Sequence, residues 1–392
     1  MDFHHTKSFI KTQLLLMICL AAMHFACKMD INQPVEAPKG SWDESLNTHP
    51  KGAAFQKLLD DYVKRGLPGV VMFVKSPQGI WNGAAGYAKI ETKEPMTPMH
   101  VLHSESIAKT NTATAVMMLV DDGKINLDAT INMYLPRRIT GRIGNGNTAK
   151  VRHLLEHTSG IRDWQNDGLQ SDIDAFNDPY GDYTPERMLE YIYDKPAHFA
   201  PGSQYRYSNS NYLLLALIMD HVLGYSHARF VSERIIKPLG LEHTYYKNEV
   251  GYPNPPGLVN SYTDLYRNGK LMNVSDAHSH LNSLFMGQGG YIATAQDYAL
   301  FIEALFNGEL VSESSLYEMT PREDHYGFGL VSYITPYGRG IGHLGGDFGG
   351  RSYRYYFPES KTTIVFAANG GDGHIERLFS QMMDDVVNAV FE

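Results

Sequence analysis

The chain has 392 residues, of which 43% are hydrophobic and 20% charged, and its formal net charge is −9 at pH 7. This composition excludes a disordered or fibrous protein and fits one large globular domain or two small ones. The acidic balance and the lack of a long Lys/Arg run argue against a nucleic-acid partner, because such partners bind basic surfaces.

The N-terminal 27 residues are typical of a secretory signal peptide. A basic start precedes an apolar run from Leu14 to Ala22, which is shorter than the roughly 20 apolar residues of a membrane span. The letters "FAC" end at Cys27 and resemble a bacterial lipoprotein cleavage site, with residues 28–50 as a polar linker. We therefore expect an exported protein, periplasmic or on the outer surface, tethered to a membrane by lipid on Cys27. The alternative is a soluble secreted protein in which Cys27 has no role.

The first half of the folded part, predicted to begin at residue 51, opens with strands and continues with helices. Residues 69–86 contain two apolar stretches around a Pro/Gly turn, which predicts a hairpin. An apolar stripe at helical spacing runs from Ser106 to Asp122 and ends at Gly123, which predicts a helix. Further helical patterns between residues 124 and 285 predict an inserted helical subdomain.

Strand patterns return in the last part of the chain. Three of them follow one another from Tyr326, and residues 375–391 form an amphipathic helical pattern. Strands at both ends with helices between them predict an α/β (α+β) fold, in which distant segments share one antiparallel sheet flanked by helices.

The stretch "VLHSESIAKT", Val101 to Thr110, contains a candidate nucleophile. Residues three apart lie on one face of a helix, so Ser106 and Lys109 can bring a hydroxyl and an amine into contact. A lysine whose pKa is lowered by burial can take the proton of a serine hydroxyl. Ser104 lacks such a partner because Ile107 stands three residues after it. Considered alone, the stretch is more typical of a helix start with a serine N-cap.

Two further stretches supply polar groups for the same chemistry. In "YSNSNY", Tyr207 can relay protons and Asn209 can hold a substrate carbonyl or the lysine ammonium. In "GHLGG", glycines allow close approach of a substrate backbone, so that we expect substrate contacts at His343 and Gly345. The backbone N–H of Gly346 can join that of Ser106 as an oxyanion donor. A packed tyrosine beside an N-cap and a tight turn are the structural alternatives.

Together these stretches resemble the serine beta-lactamase and penicillin-binding-protein family. Ser106-Ile-Ala-Lys109, Tyr207-Ser-Asn209 and His343-Leu-Gly345 have the order and separation of its three motifs. They are most similar to the branch of class C beta-lactamases, D-Ala-D-Ala carboxypeptidases and related esterases. The similarity runs from about Phe55 to the C-terminus. It implies a beta-lactamase/transpeptidase-like fold with the site between the sheet and a helical subdomain.

The resemblance also implies roles for the residues. Ser106 would be acylated, Lys109 and Tyr207 would share the general-base role, and Asn209 would position the substrate. No metal or organic cofactor is implied. The substrate would be a small molecule or peptide, namely a beta-lactam, a D-amino-acid peptide or an ester. The alternative is a penicillin-binding or sensing module that deacylates slowly.

The sequence departs from the family pattern at several positions, with a mild change at Ala108, where Thr is common. His343 stands where the third motif often has lysine, and a neutral imidazole attracts a substrate carboxylate less than an ammonium does. Ser104 and Glu105 stand where small or apolar residues are usual. If the Glu105 carboxylate reached Lys109, it would raise the pKa of that amine and slow catalysis.

A rival motif, H-x-x-E-H, lies in "RHLLEH" at His153, Glu156 and His157. Two histidines on one helical face with a glutamate base can bind zinc, and "DAHSHL" offers His278 or His280 as a third ligand. Because the motif falls inside the family-like stretch "LLEHTSGI", we expect a structural role for it.

Overall fold

The computed structural model describes residues 37–247, 254–322, 325–371 and 373–392. The predicted signal peptide, Cys27 and residues 28–36 of the predicted linker lie outside these residues, so their assignment stays a prediction. Ala37–Glu392 forms a compact unit. None of the helices within the described residues is long and apolar enough to cross a membrane.

The main sheet has seven antiparallel strands in the order β3-β2-β1-β12-β11-β10-β9. The first long strand pairs with the last, with Val70 opposite Ala368, so distant segments share one sheet as predicted. The seven strands are Gly69–Ser76 (β1), Gly79–Lys89 (β2), Glu94–Pro95 (β3), Val331–Thr335 (β9), Gly338–Gly346 (β10), Arg351–Phe357 (β11) and Thr362–Ala368 (β12).

Helices cover both faces of this sheet, which explains why strand β1 is apolar at each position from Val70 to Val74. Val70 and Met72 pack with helices Gly52–Lys64 (α1) and His374–Phe391 (α12). The alternate residues Val71 and Phe73 pack with helix Ala295–Phe306 (α10) on the other face. Successive side chains of a strand point to opposite faces, so a strand covered on both sides is hydrophobic at each position.

The middle of the chain is mostly helical, as predicted, but it also contains short strands. The strand Thr244–Tyr246 (β5) pairs with Tyr291–Ala293 (β8), which in turn pairs with Leu102–His103 (β4), just before the candidate nucleophile. Tyr262–Thr263 (β6) and Met272–Asn273 (β7) form a second small sheet. The insertion therefore differs from an all-helical subdomain, because it contributes strands that support the site; its boundaries at 124 and 285 stay predictions.

The remaining helices form the second core. They bury one continuous apolar cluster that includes Leu154, Met188 and Leu214. In chain order they are Ala108–Asp121 (α2), Arg137–Thr140 (α3), Val151–Leu155 (α4), Gln170–Asn177 (α5), Pro185–Glu190 (α6), Asn209–Leu223 (α7), His227–Val231 (α8), Ser275–Leu284 (α9) and Glu313–Met319 (α11).

The predicted helix after Ser106 is more deeply buried than its apolar stripe suggested. Helix α2 is buried at each residue from Ala108 to Leu119, so it runs through the interior instead of lying on a surface. Two of its buried threonines are satisfied internally, since the Thr110 and Thr112 hydroxyls each donate to a backbone carbonyl at 2.7 Å. Burial on all sides fixes the position of its first turn, which begins the site.

Candidate active site

Ser106 lies where two distant parts of the chain meet. It belongs to the 3₁₀ turn Glu105–Ile107, directly before helix α2. Its Oγ accepts hydrogen bonds from Lys109 Nζ at 2.9 Å and from Tyr207 OH at 3.0 Å. The structure thus brings together the three side chains that the motifs pointed to. A hydroxyl becomes a nucleophile when a neighbouring base takes its proton, and this contact is the geometry that such a transfer needs.

The Lys109 amine is tuned by its surroundings. The side chain is fully buried, and burial lowers its pKa from 10.5 to about 7, against the opposing charges of Asp163 and Glu105. Nζ also donates to the backbone carbonyl of Gln288 at 3.2 Å. A lysine with a pKa near 7 is uncharged in a large fraction of molecules at neutral pH, so it can accept the Ser106 proton.

Tyr207 is held by a neighbouring histidine. The His157 and Tyr207 rings lie 4.3 Å apart, and His157 Nδ1 accepts a hydrogen bond from the N–H of Ser208 at 3.1 Å. Burial raises the pKa of Tyr207 well above 10. The phenol therefore stays protonated at neutral pH and donates to Ser106, which leaves Lys109 as the better proton acceptor.

Asn209 is the first residue of helix α7 and lines the cavity in front of Ser106. Its Nδ2 donates to Gln165 Oε1 at 3.0 Å and lies 3.4 Å from Asp163 Oδ2. With its amide oriented so that both ends are satisfied, Gln288 donates to the Asn209 backbone carbonyl at 3.2 Å. These contacts orient the Asn209 amide at the cavity wall. Gln165, Asp163 and Gln288 were not found from the sequence, since nothing local to them marks a site.

His343, on strand β10, is buried behind the tyrosines. Its Nε2 lies 2.8 Å from Tyr326 OH. Burial, and then the charge of Lys109, lower the pKa of His343 to about 3. The imidazole is consequently neutral at physiological pH and offers no charge to a substrate carboxylate. Its predicted contact with substrate stays a prediction.

The two glycines at the end of strand β10 have different surroundings. Gly346 lines the cavity together with Ser106, as the two predicted oxyanion donors should. Gly345 does not line the cavity but packs against the nucleophile turn, where a Cβ would meet Glu105 Cβ at 2.7 Å and the Ser104 carbonyl at 2.8 Å. The absence of a side chain at Gly345 thus lets strand β10 approach the turn; its predicted contact with substrate stays a prediction.

The cavity in front of Ser106 has a volume of about 130 Å³. A larger cleft of about 890 Å³ is lined by Tyr205 and Tyr326 but not by the nucleophile, so we place the chemistry in the smaller cavity. Its walls, all within the described residues, include two carboxyl side chains but no lysine, arginine or histidine: Glu105, Ser106, Gln165, Asn166, Tyr207, Asn209, Phe285, Gln288, Gly289, Gly346 and Asp347.

Ser104 and Glu105, two of the departures from the family pattern, are both buried. The Ser104 hydroxyl donates to the Glu105 carbonyl at 3.2 Å. The Glu105 carboxyl lies against His278, with Oε1 3.3 Å from Nε2. In its ionised form this carboxyl favours the protonated form of Lys109, but by less than that of Asp163 does. An effect of Glu105 on the catalytic pKa stays a prediction.

In the described part of the chain, the histidines proposed as zinc ligands each contact a different partner. His153 Nδ1 accepts a hydrogen bond from the backbone N–H at the start of its own helix, whereas His157 supports the Tyr207 loop. His280 contacts the carbonyl of another loop at 2.9 Å. His278 belongs to a different cluster of side chains, next to Ser106.

Comparison with known proteins agrees with this geometry. Residues 55–378 match the protein family described as "Beta-lactamase". The putative penicillin-binding protein PbpX of Bacillus subtilis (strain 168) is 28% identical over 280 residues, which cover 71% of this chain and 65% of that protein. This chain thus matches less than two thirds of that relative's length.

Two solved structures are similar over most of this chain. The D-amino acid amidase from Ochrobactrum anthropi SV3, complexed with L-phenylalanine amide, is 25% identical with a TM-score of 0.73 and covers 87% of this chain and 98% of its own. A D-stereospecific amidohydrolase from Streptomyces sp. is 28% identical with a TM-score of 0.73 and covers 85% of this chain and 98% of its own.

Proposed function

Since the chain belongs to the beta-lactamase family, we propose that it is a serine hydrolase that cleaves amide, lactam or ester bonds through an acyl-enzyme on Ser106. One observation supports this most strongly: Ser106 Oγ lies 2.9 Å from the amine of Lys109, and burial lowers the pKa of that amine to about 7. A base poised near neutral pH and in contact with a hydroxyl is what nucleophilic catalysis requires.

Acylation follows from these contacts. Neutral Lys109 takes the proton of the Ser106 hydroxyl while Oγ attacks the carbonyl carbon of the substrate. The carbonyl oxygen gains the negative charge, which the N–H groups of Ser106 and Gly346 bind. The tetrahedral intermediate collapses, and the bond to the leaving group breaks. Tyr207 gives its proton to the departing nitrogen or oxygen and regains one from the Lys109 ammonium.

Deacylation uses the same groups in reverse. Water attacks the acyl ester, its proton passes to Lys109 through Tyr207, and the ester bond to Ser106 breaks. The proton then returns to Ser106 Oγ as the acid product leaves. Each proton that is taken up is released, so that the enzyme ends unchanged and needs no cofactor for these steps.

For the substrate, we propose a small amide or ester without a carboxylate next to the scissile bond, such as a D-amino acid amide. The histidine of the third motif is neutral, and the cavity walls within the described residues carry carboxyl groups but no cation. A substrate carboxylate would lose its hydration there without gaining an ion pair. The structural likeness to D-amino acid amidase supports the same class.

A substrate panel tests the proposal. D-phenylalanine amide and a p-nitrophenyl ester should be turned over with a higher kcat/KM than a chromogenic cephalosporin or a D-Ala-D-Ala peptide. Ser106→Ala is the control and should abolish turnover of all four. Turnover that survives in this variant would refute the mechanism, and a preference for the carboxylate-bearing pair would refute the proposed substrate class.

The alternative function is a penicillin-binding module that acylates but releases the acyl group slowly, in keeping with the name of the Bacillus relative. The two functions differ in the lifetime of the adduct. Mass spectrometry after a short pulse of substrate measures this lifetime. A lifetime of seconds indicates an enzyme. A lifetime of hours indicates a sensor.

We also propose export with lipid attachment at Cys27, which the letters "FAC" support. In a bacterial host, full-length protein labelled with a radioactive fatty acid should carry the label, and Cys27→Ala should not. Equal labelling of the two would exclude the anchor.

A further inference from the structure

A buried ionic cluster lies beside the nucleophile and has no part in the steps described above. His278, on helix α9, places Nε2 2.9 Å from Asp347 Oδ1 and 3.3 Å from Glu105 Oε1. Its Nδ1 lies 2.8 Å from Ser261 Oγ. The side chains of His278, Glu105 and Asp347 are 1%, 3% and 12% exposed, so solvent screens their charges only weakly.

The cluster joins the two segments that carry the proposed oxyanion donors. Glu105 directly precedes Ser106, and Asp347 directly follows Gly346. His278 reaches both carboxyl groups from a third element. Asp347 Oδ1 also accepts the N–H of Gly349 at 2.8 Å, which fixes the turn between strands β10 and β11. A single imidazole therefore contacts both halves of the oxyanion site, through a hydrogen bond to Asp347 and at ion-pair distance from Glu105.

The backbone at Glu105 needs such a support. Its φ is 49°, in the left-handed region that non-glycine residues avoid. A residue in this conformation costs about 1–3 kcal/mol and persists only where its surroundings hold it. The conformation of Glu105 sets the direction of the Ser106 N–H. Contacts that hold Glu105 therefore also hold this oxyanion donor.

The charges favour a stable link at neutral pH. Burial opposes a charge on His278, but Asp347 and then Glu105 outweigh it and raise the His278 pKa to about 10. Burial, and then Asp347, raise the pKa of Glu105 to about 8. His278 is then an imidazolium bound to the Asp347 carboxylate, while burial favours the neutral form of Glu105. Removal of one partner would leave a buried charge unpaired.

We propose that Glu105, His278 and Asp347 form a clamp that holds the N–H groups of Ser106 and Gly346 in position for the oxyanion. The three are positioning residues, since none of them exchanges a proton with the substrate in the mechanism above. The clamp rests on the proposed acyl-enzyme function. Misplacement of an oxyanion donor costs about 100-fold in rate.

The same three side chains offer donor atoms within 4.8 Å of one another, a spacing that a metal ion could also use. The observed distances favour the clamp. His278 Nε2 is at hydrogen-bond distance from Asp347, and in the imidazolium form its proton occupies the position that a metal ion would need. A metal site is therefore the alternative that the test below distinguishes from the clamp.

Burst kinetics with p-nitrophenyl acetate tests the clamp, because the burst amplitude counts working sites and the burst rate measures acylation. We expect His278→Ala to keep the amplitude and the KM but to lose about 100-fold in burst rate. His278→Gln, whose amide can still donate to Asp347, should recover part of the rate. His280→Gln, two residues along the same helix and outside the site, is the matched control and should match the wild type.

Several outcomes would overturn the clamp. One is a wild-type burst rate in His278→Ala, and another is a loss of amplitude without a loss of rate, which would indicate misfolding alone. If His278→Ala does not fold, Asp347→Asn replaces it with the same expected loss. Stabilisation of chelator-treated wild type by Zn²⁺, absent in His278→Gln, would indicate a metal site instead. A burst that persists in Ser106→Ala would refute the acyl-enzyme function itself, separately from the clamp.

Discussion

The replacement Lys109→Met should stabilise the protein in a pH-dependent way while abolishing its activity. In the unfolded chain this amine has its usual pKa of 10.5, whereas burial lowers the pKa to about 7 in the fold. Between these two values the unfolded state binds more protons than the folded state. The stability of the wild type therefore rises with pH over this interval, and it is lowest below pH 7, where the buried amine is charged.

The magnitude follows from the two pKa values. Each pH unit between them is worth up to about 1.4 kcal/mol. At pH 7 the buried lysine costs about 4 kcal/mol relative to an uncharged side chain, and this cost falls by about 2 kcal/mol between pH 7 and pH 9. Methionine has a similar length and cannot be protonated. The stability gained by Lys109→Met over the wild type should therefore shrink by the same amount, about 2 kcal/mol, between pH 7 and pH 9.

Urea unfolding at pH 6, 7, 8 and 9 measures this difference. The hydrogen bonds that Lys109→Met loses change its free energy of unfolding by an amount that does not depend on pH. The contributions of other titrating groups cancel in the comparison. Ser106→Ala is the matched control, because it is inactive but keeps the buried lysine and should follow the wild-type pH dependence. A difference between wild type and Lys109→Met that stays constant from pH 7 to 9 would refute the lowered pKa.

Three further predictions concern neighbouring residues. Tyr207→Phe removes the phenol that donates to Ser106, and stopped-flow measurements should give an acylation rate lower by roughly 10²–10⁴ with a similar KM; an unchanged rate would contradict the relay. His343→Lys should raise kcat/KM for a cephalosporin relative to an ester by roughly tenfold, since a charged hydrogen bond adds about 1.5 kcal/mol; an unchanged ratio would contradict the substrate argument. Gly345→Ala should lower the free energy of unfolding in urea by about 1–3 kcal/mol, because its Cβ would lie 2.7 Å from Glu105 Cβ in a packed interior; wild-type stability would contradict the close packing.

Local patterns predicted the α/β fold class, and together with the resemblance to a known family they predicted the central contact of the site. Two apolar stretches around a Pro/Gly turn predicted the hairpin at residues 69–86, observed as strands β1 and β2. The spacing of Ser106 and Lys109 predicted a contact across one helical turn, which the structure has at 2.9 Å. Such features depend on residues close in sequence, where helix and strand geometry alone fixes the distances.

Features that depend on long-range packing could not be predicted. Glu105 was noticed as a departure, but its partners His278 and Asp347 are far from it in sequence, and neither has a local signature. The position of Gly345 against the nucleophile turn depends on the pairing of strands β10 and β11. The backbone carbonyl of Gln288 that accepts from Lys109 leaves no trace in the sequence, because any residue supplies a carbonyl.

Peptide mapping of the trapped acyl-enzyme tests the central claim most directly. Wild-type protein mixed with p-nitrophenyl acetate is quenched in acid during the burst, digested and analysed by tandem mass spectrometry. We predict one acetyl group, on Ser106, which disappears as the substrate is exhausted and is absent from Ser106→Ala. A wild type that releases nitrophenol without an adduct, or an acetyl group on another residue that persists in Ser106→Ala, would contradict the account.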